Sequence, residues 1–128
     1  MLFYDNLNKN IKENIIEKDN RIILGGDFNV TLNLVWDCSG GNRSKKASAK
    51  FIEELCLDFD LIDTWRIRNP EVKRFTGRQK TPLIQRRLDF WLISEVCQED
   101  IERSDIISSI NSDYSAIIFY FSSISKQN

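Results

Sequence analysis

The stretch Arg21-Ile22-Ile23-Leu24-Gly25-Gly26-Asp27-Phe28-Asn29 decides how the rest of this 128-residue chain is interpreted. Residues 22–24 form a short, β-branched apolar run that stops at two glycines, which predicts a buried strand ending in a tight turn. If the extended form continues, Asp27 and Asn29 face one side of the strand and Phe28 packs on the other. Such a carboxylate and amide can orient a water molecule and bind a phosphoryl oxygen. The alternative is a polar loop in which Asp27 caps the turn.

Length and composition narrow the class of protein. A chain of 128 residues suits one domain, or part of one, and 41% hydrophobic with 29% charged residues is typical of a folded globular protein. The sequence has no signal peptide and no apolar run that would span a bilayer, so we expect an intracellular protein, cytoplasmic or nuclear, without a membrane partner. The three cysteines are odd in number and far apart, which favours reduced thiols. The absence of histidine excludes histidine bases and histidine metal ligands within this chain.

Charge is distributed unevenly along the chain. Residues 66–87 contain eight cations and a single carboxylate, Glu71, which gives this segment a charge of +7. Since the net charge of the chain is −1, the remaining residues together carry −8. A local excess of cations is the usual electrostatic feature of a polyanion-binding surface, although most charge runs are solvated, ion-paired surfaces. We call this set the basic stripe: Arg66, Arg68, Lys73, Arg74, Arg78, Lys80, Arg86 and Arg87.

Apolar periodicity predicts a mixed α/β fold. Apolar residues at intervals of four, from Phe3 to Ile15, predict a first helix with Asp5 or Asn6 as the cap at its start and Asp19-Asn20 at its end. A second helix fits residues 46 to about 57, with Ser44 as a possible cap. The buried stripe of this second helix is Phe51, Ile52, Leu55 and Cys56. Further strands are expected at 61–66, 74–77, 87–94, 106–110 and 116–121, with a short polar helix or loop at 95–103 and turns at Asn69-Pro70 and Thr81-Pro82.

Three carboxylates recur at expected strand ends beside turns: Asp27, Asp89 and Asp113. Clustered carboxylates with an amide suit a hard cation such as Mg²⁺. Together with the basic stripe they indicate metal-assisted hydrolysis of a phosphate ester. A structural ion pair of Asp89 with Arg86 or Arg87 is the alternative for that residue. Asp37 either contacts a ligand or ends a turn, and we favour the turn.

An ordered series of short motifs carries a family resemblance. The motifs are Gly-Asp-Phe-Asn at 26–29, Asp-Thr-Trp-Arg at 63–66, Asn-Pro at 69–70, Phe-Thr at 75–76, Arg-Leu-Asp-Phe at 87–90 and Ser-Asp-Tyr-Ser at 112–115. This series resembles the endonuclease/exonuclease/phosphatase superfamily, most closely the apurinic-type endonuclease domain of LINE-type (non-LTR) retrotransposons. The resemblance implies cleavage of DNA with Mg²⁺, or Mn²⁺, as cofactor. It also implies the C-terminal half of a four-layered α/β sandwich, with a mixed, largely antiparallel sheet and flanking helices. Residues 1–128 would form one partial domain, with the motifs within about 21–121.

The resemblance also implies roles for individual residues. Asp27 would orient or deprotonate the attacking water, and Asn29 would donate to the scissile phosphate. Asp89 would orient the catalytic histidine of the family, and Asp113 would lie near the metal. Residues expected to contact or support the substrate are Trp65, Arg74, Thr76, Arg78 and Arg87.

Two departures from the family pattern bear on activity. Tyr114 stands where the family has histidine, and a tyrosine with a pKa of about 10 stays neutral near pH 7. The half of the fold that supplies further metal ligands has no counterpart in the motifs. We therefore expect lowered or lost activity in a truncated copy, with DNA and either a missing N-terminal half or an adjoining reverse transcriptase as partners. The alternatives are a non-catalytic nucleic-acid-binding remnant, or a phosphatase of the same fold that acts on small phosphate esters.

Overall fold

Antiparallel strands and short helices make up the computed structural model, which describes residues 2–14, 21–41, 46–108 and 115–122. The helices are α1 (Leu2–Asn14), α2 (Ala47–Phe59) and α3 (Thr64–Arg68), with a 3₁₀ helix at Glu95–Asp100. The strands are β1 (Ile23–Asp27), β2 (Cys38–Ser39), β3 (Leu61–Asp63), β4 (Gly77–Lys80), β5 (Leu83–Arg86), β6 (Asp89–Ser94), β7 (Ile101–Ser108) and β8 (Ser115–Phe121). None of the described helices is long and apolar enough to cross a membrane.

Strand β6 is the centre of the main sheet. It pairs antiparallel with β1 on one side and β3 on the other. Because side chains alternate along a strand, Phe90 and Leu92 face one side and Trp91 and Ile93 face the other. Both sides are covered, so β6 reads as a nearly continuous apolar run in the sequence.

One side of the sheet packs on α2 to form the larger core. Ile52 and Leu55 of α2 are buried against Phe90 and Leu92, and α1 contributes Leu7 at the edge of this core. The predicted second helix is thus confirmed, with Ala49, Ile52 and Leu55 as its buried residues. Each fully buried aliphatic side chain of this kind contributes about 1.5–3 kcal/mol.

The other side of the sheet packs on the 3₁₀ helix and on the β7–β8 hairpin. Ile93 is buried there with Cys97, and Trp91 meets Phe119 edge-on at 4.8 Å between ring centroids. The Trp91 ring also covers Gly25, where an added Cβ would lie 2.1 Å from ring carbons. The first glycine of the pair therefore leaves room for this indole.

A second, smaller sheet has the strand order β2-β5-β4. Strands β4 and β5 form a hairpin that turns at Thr81-Pro82, so the turn predicted there is confirmed. The predicted strand at 87–94 and the final strand at 116–121 are confirmed as β6 and β8.

Three predicted strands need correction. The strand expected at 61–66 stops at Asp63, because the Asp63 carboxylate accepts the N–H of Arg66 and starts α3 instead. The strand expected at 74–77 is irregular and β4 begins where it was to end. The strand expected at 106–110 begins at Ile101. The expected cap of the first helix at Asp5 or Asn6 is wrong, because α1 begins at Leu2 and both residues lie within it. The predicted end of the first helix at 19–20 and the Ser44 cap lie outside the described residues.

Candidate functional site

The ends of β1 and β6 bring two aspartates opposite each other. Asp27 is the last residue of β1 and pairs in register with Asp89, the first residue of β6. Paired residues of an antiparallel sheet project to the same face. With Asn29 and Thr76 beside them, these residues form what we call the acidic corner.

The backbone after β1 turns sharply. Asn29 adopts a left-handed conformation with φ of 53°, and its N–H donates to Asp27 Oδ1 at 2.8 Å. The extended form therefore ends at Asp27, and Asp27 caps the turn as the polar-loop alternative proposed. Phe28 packs inward as predicted and stacks on Phe90 at 4.6 Å. Asp27 and Asn29 both remain exposed.

Thr76 holds the start of β6 in place. Its buried Oγ1 accepts the N–H groups of Leu88 at 2.9 Å and Asp89 at 3.1 Å. The hydroxyl also forms a hydrogen bond with the carboxylate of Asp89. Burial raises the pKa of Asp89, the Thr76 hydrogen bond opposes this shift, and the negative charge of Asp27 adds to it. The corner is therefore a place where a cation or a proton relieves repulsion between two carboxylates.

The donors of the acidic corner suit Mg²⁺ in part. Mg²⁺ is usually held by one or two carboxylates, and its remaining positions are filled by water and substrate phosphate oxygens. The described residues contain no group of three or more Asp, Glu, His or Cys side chains that would hold a metal by themselves. Asp113, the expected metal ligand, and Tyr114 lie outside the described residues.

Arg87 lies two residues before Asp89 but in a closed environment. Its guanidinium is 1% exposed, with Nε 2.8 Å from Asp37 Oδ1 and Nη1 3.1 Å from Asp63 Oδ1. It therefore forms its ion pairs with Asp37 and Asp63, not with Asp89. The expectation that Arg87 contacts DNA is replaced by a structural role, because none of its donors faces solvent.

Asp37 and Trp65 complete this buried ion network. Asp37 is fully buried, and its N–H donates to Asn33 at the end of a turn, as favoured from the sequence. Its carboxylate also pairs with Arg66. Trp65 is 7% exposed, and the guanidinium carbons of Arg66 and Arg87 lie 4.8 and 5.1 Å from its ring centroid. The structure thus places Trp65 as a support for the ion network.

The basic stripe divides into anchored and open cations. Arg66 is half-buried in the ion network, while Arg68 and Arg74 donate to backbone carbonyls of β7. Arg74 nevertheless has an exposed side chain, as does Arg78 on β4. Only part of the stripe is therefore available to a polyanion.

A cavity of about 170 Å³ adjoins the acidic corner. Its polar lining comes from Asn29, Thr31, Lys46 and Arg86. From the sequence, Arg86 is expected in the basic stripe or as an ion-pair partner of Asp89, and Lys46 is expected only at the start of the second helix. The Arg86-Arg87 pair is a signal in the sequence. Neighbouring residues of an extended chain point to opposite sides, so Arg86 and Arg87 are not expected to be buried on the same side.

Comparison with known sequences finds similarity to a protein of a transposable element. No protein-family model matches the chain. An uncharacterized 149 kDa protein of transposon TX1 from Xenopus laevis is 43% identical over 63 residues, which is 48% of this chain and 4% of that protein. This similarity agrees with the predicted resemblance to proteins of transposable elements.

Comparison with solved structures identifies the fold. A 3′-5′ exonuclease from Neisseria meningitidis matches with a TM-score of 0.73 and 17% identity over 93% of this chain and 52% of its own. A Neisseria 3′ phosphatase bound to product DNA hairpin matches at 0.72 and 18%, covering 92% of this chain and 51% of its own. An AP endonuclease from Archaeoglobus fulgidus matches at 0.72 and 14%, covering 94% and 52%. The chain shares the α/β fold of these three proteins, as the resemblance in its sequence implies, and it spans about half of their length.

Proposed function

We propose, from the fold that this chain shares with DNA nucleases, that its acidic corner takes part in metal-dependent hydrolysis of DNA phosphodiesters in a transposon-type endonuclease. The observation that carries the proposal is the in-register pairing of the exposed Asp27 with the half-buried Asp89 at the ends of β1 and β6. Two carboxylates that repel each other at the surface of a stable sheet are typical of a site that binds a cation or moves a proton.

In this proposal, a water oxygen forms a bond to phosphorus and the bond from phosphorus to one sugar oxygen breaks. The products are a phosphate monoester and a sugar hydroxyl. One proton of the water is transferred to the sugar oxygen, and the other stays with the oxygen that is now bonded to phosphorus. Asp27 is exposed and orients the water or accepts its proton. The Asn29 side-chain amide donates to a phosphoryl oxygen as negative charge develops on it. Asp89, which is hydrogen-bonded to Thr76, orients the side chain that takes the place of the family's catalytic histidine, here Tyr114.

A divalent cation, Mg²⁺ or Mn²⁺, would neutralise charge on the phosphoryl oxygens. Asp113 remains the proposed further oxygen ligand. Tyr114 takes the position of the family's histidine, where a neutral phenol donates a hydrogen bond but is a poor base near pH 7. The exposed cations Arg74 and Arg78 are the proposed contacts to the DNA backbone.

The test is nicking of supercoiled plasmid by the full 128-residue chain, with and without Mg²⁺. Asp27→Ala is expected to lower the rate by roughly 100-fold or more, as for loss of a general base. Asp58→Ala is the matched control, because Asp58 is also an exposed aspartate but lies on α2, in a groove shared with α1 and not in the acidic corner. Tyr114→His is expected to raise the rate by about tenfold or more, since an imidazole titrates near neutral pH.

Each alternative function gives a different result in this experiment. A folded wild-type chain that binds DNA but never nicks it would favour the non-catalytic nucleic-acid-binding remnant. Mg²⁺-dependent release of nitrophenol from p-nitrophenyl phosphate without plasmid nicking would favour a phosphatase for small esters. Nicking that survives Asp27→Ala unchanged would contradict the role proposed for the acidic corner.

A further inference from the structure

The β7–β8 hairpin is a sheet of two strands, so each strand has one edge that pairs with no other described strand. The outer edge of β7 is covered by two arginines. Arg68 donates to the backbone carbonyls of Ile101 and Glu102, and Arg74 donates to the carbonyl of Ile106. These carbonyls are acceptors that a further strand would need, so the edge of β7 is closed to strand pairing.

The outer edge of β8 is open in the described part of the chain. Ile106 pairs in register with Ile117, and Arg74 reaches the Ile106 carbonyl from outside the hairpin. This is therefore one of the alternate pairs without hydrogen bonds between the strands, and Ile117 directs its N–H and C=O away from β7, as Phe119 does two residues further on. Trp91 Nε1 donates to the Ile117 carbonyl at 3.3 Å, but a carbonyl has a second lone pair. No backbone group of another described segment bonds to the outward groups of Ile117 or Phe119.

The sequence of β8 lacks the features that usually protect an edge strand. Its seven residues, Ser115–Phe121, include no charged residue, no proline and no glycine. The face that carries Ala116, Ile118 and Tyr120 points away from the core, and Tyr120 is 41% exposed. An apolar, uncharged strand with a free edge is a ready template for another extended segment.

The arrangement of residues along β8 makes a second copy of the same strand a suitable partner. In an antiparallel pair with its two-fold axis at Ile118, all seven residues of one β8 lie opposite the seven of the other. Ile117 then lies opposite Phe119 of the second copy, and because the backbone groups of both face outward, hydrogen bonds form on both sides of the axis. On the outer face, the small Ala116 lies opposite the large Tyr120 of the second copy. Backbone groups and side-chain sizes therefore match in the register that pairs the whole strand.

We propose that β8 pairs antiparallel with β8 of a second copy of this chain, so that two hairpins join into a four-stranded sheet with the order β7-β8-β8-β7. Arginines cover both outer edges of this sheet, since each β7 keeps its contacts with Arg68 and Arg74. Seven residues per copy are fewer than the roughly 20–30 of a standard stable interface. The dimer is therefore weak, and it forms reversibly at micromolar or higher concentrations of protein.

Sedimentation velocity of the full 128-residue chain, from about 1 µM to 1 mM, measures this association. Ile118→Lys places two lysines opposite each other at the two-fold axis, and it is expected to raise the dissociation constant by about tenfold or more. Ile107→Lys is the matched control, because Ile107 is an exposed isoleucine on the same face of the hairpin but on β7. The control is expected to dimerise as the wild type does.

A cysteine variant tests the same register without adding a charge. At Ile118, the two copies face each other in a pair without hydrogen bonds, where cross-strand Cβ atoms are closest and lie near the distance of a disulfide. Ile118→Cys is expected to form a disulfide-linked dimer under mild oxidation roughly tenfold faster than the control Ile107→Cys. The wild-type chain, with its three free cysteines, gives the background rate.

The outcomes decide between pairing of strand edges and other associations. Dimers that are lost in Ile118→Lys and kept in Ile107→Lys support the proposal, as does rapid cross-linking of Ile118→Cys. A wild-type chain that stays monomeric at about 1 mM would overturn it. Equal loss of dimer in both lysine variants would also overturn it, because that result would indicate packing of hairpin faces.

Circular dichroism shows whether each variant is folded. If Ile118→Lys is unfolded, the cross-linking rates provide the test, and equal rates for the two cysteine variants would contradict the proposal. These experiments contain no DNA, so their outcome does not bear on the proposed function.

Discussion

Arg87 and Asp89 are two residues apart, and their charged side chains serve two different purposes. Arg87 is buried and paired with Asp37 and Asp63, so positive and negative charges are matched. Asp89 faces Asp27 across the sheet, and its pKa is raised by burial and by that like charge. The ion network holds the fold together, whereas the acidic corner is left electrostatically unfavourable and accessible. The difference separates a structural charge just before β6 from a candidate functional charge at its first residue.

The largest expected effect comes from breaking the ion network at its centre. Arg87→Met leaves Asp37 and Asp63 buried without their main partner, and we expect a loss of about 3–5 kcal/mol in the free energy of unfolding. Urea denaturation measures this loss. Arg78→Met, at an exposed position on β4, is the control and is expected to stay within about 0.5 kcal/mol of wild type. Equal stability of both variants would mean that the network contributes nothing.

Matched Asp→Asn substitutions compare the two regions directly. Asp37→Asn removes a fully buried charge that pairs with two arginines, and we expect a loss of about 2–3 kcal/mol. Asp27→Asn removes an exposed charge that repels Asp89, and stability is expected to stay the same or rise slightly. Chemical denaturation of the two proteins at pH 7 gives the comparison, and the reverse order of stability would refute it.

The sequence predicts the acidic corner better than the ion network. The β-branched run and Asp27-Phe28-Asn29 are local signals, and they located β1 and the inward packing of Phe28. The expected burial of β1 and its end at the glycine pair are wrong, because β1 is largely exposed and continues through both glycines to Asp27. The partners of Arg87 are distant in the sequence, with Asp37 lying 50 positions away. No local pattern distinguishes a buried arginine with such a partner from an exposed arginine in a basic stripe.

Segment 61–66 shows a second limit of local patterns. Its apolar residues fit a strand, and β3 does form at Leu61–Asp63. The carboxylate of Asp63 then starts α3, and it also binds Arg87. A capping aspartate and a strand aspartate look alike in sequence, because the choice between them depends on the position of a distant partner, here Arg87.

Substitution of Thr76 is expected to have an intermediate effect on stability, since Thr76 forms hydrogen bonds with the backbone at the start of β6, next to the acidic corner. Thr76→Val keeps the shape of the side chain but removes the acceptor for the N–H groups of Leu88 and Asp89. We expect a loss of about 1–2 kcal/mol and a further rise in the pKa of Asp89. Thr81→Val, in the exposed hairpin turn, is the control for thermal unfolding. If both variants unfold at the same temperature as the wild type, the Thr76 hydroxyl does not stabilise the start of β6.

The smallest expected effect is a pH-dependent gain in stability for Asp89→Asn. Because the pKa of Asp89 is higher in the folded chain than in the unfolded chain, its contribution to stability is fully present below about pH 4 and is lost as pH rises through the folded pKa. Asp89→Asn removes this loss, so the variant should be more stable than wild type at pH 7 by less than about 1 kcal/mol. At pH 3.5, taken as roughly the reference carboxyl pKa, this gain should vanish. A gain that is equal at both pH values would point to another cause.

Titration of the Asp89 carboxyl by ¹³C NMR tests the central claim, that Asp27 and Asp89 repel each other at an accessible site, most directly. Asp89→Asn identifies the resonance, and the measurement is repeated in Asp27→Asn. The account predicts an Asp89 pKa above the ordinary carboxyl value in wild type and a lower pKa in Asp27→Asn, with burial keeping it still raised. An ordinary Asp89 pKa that does not respond to Asp27→Asn would contradict the account.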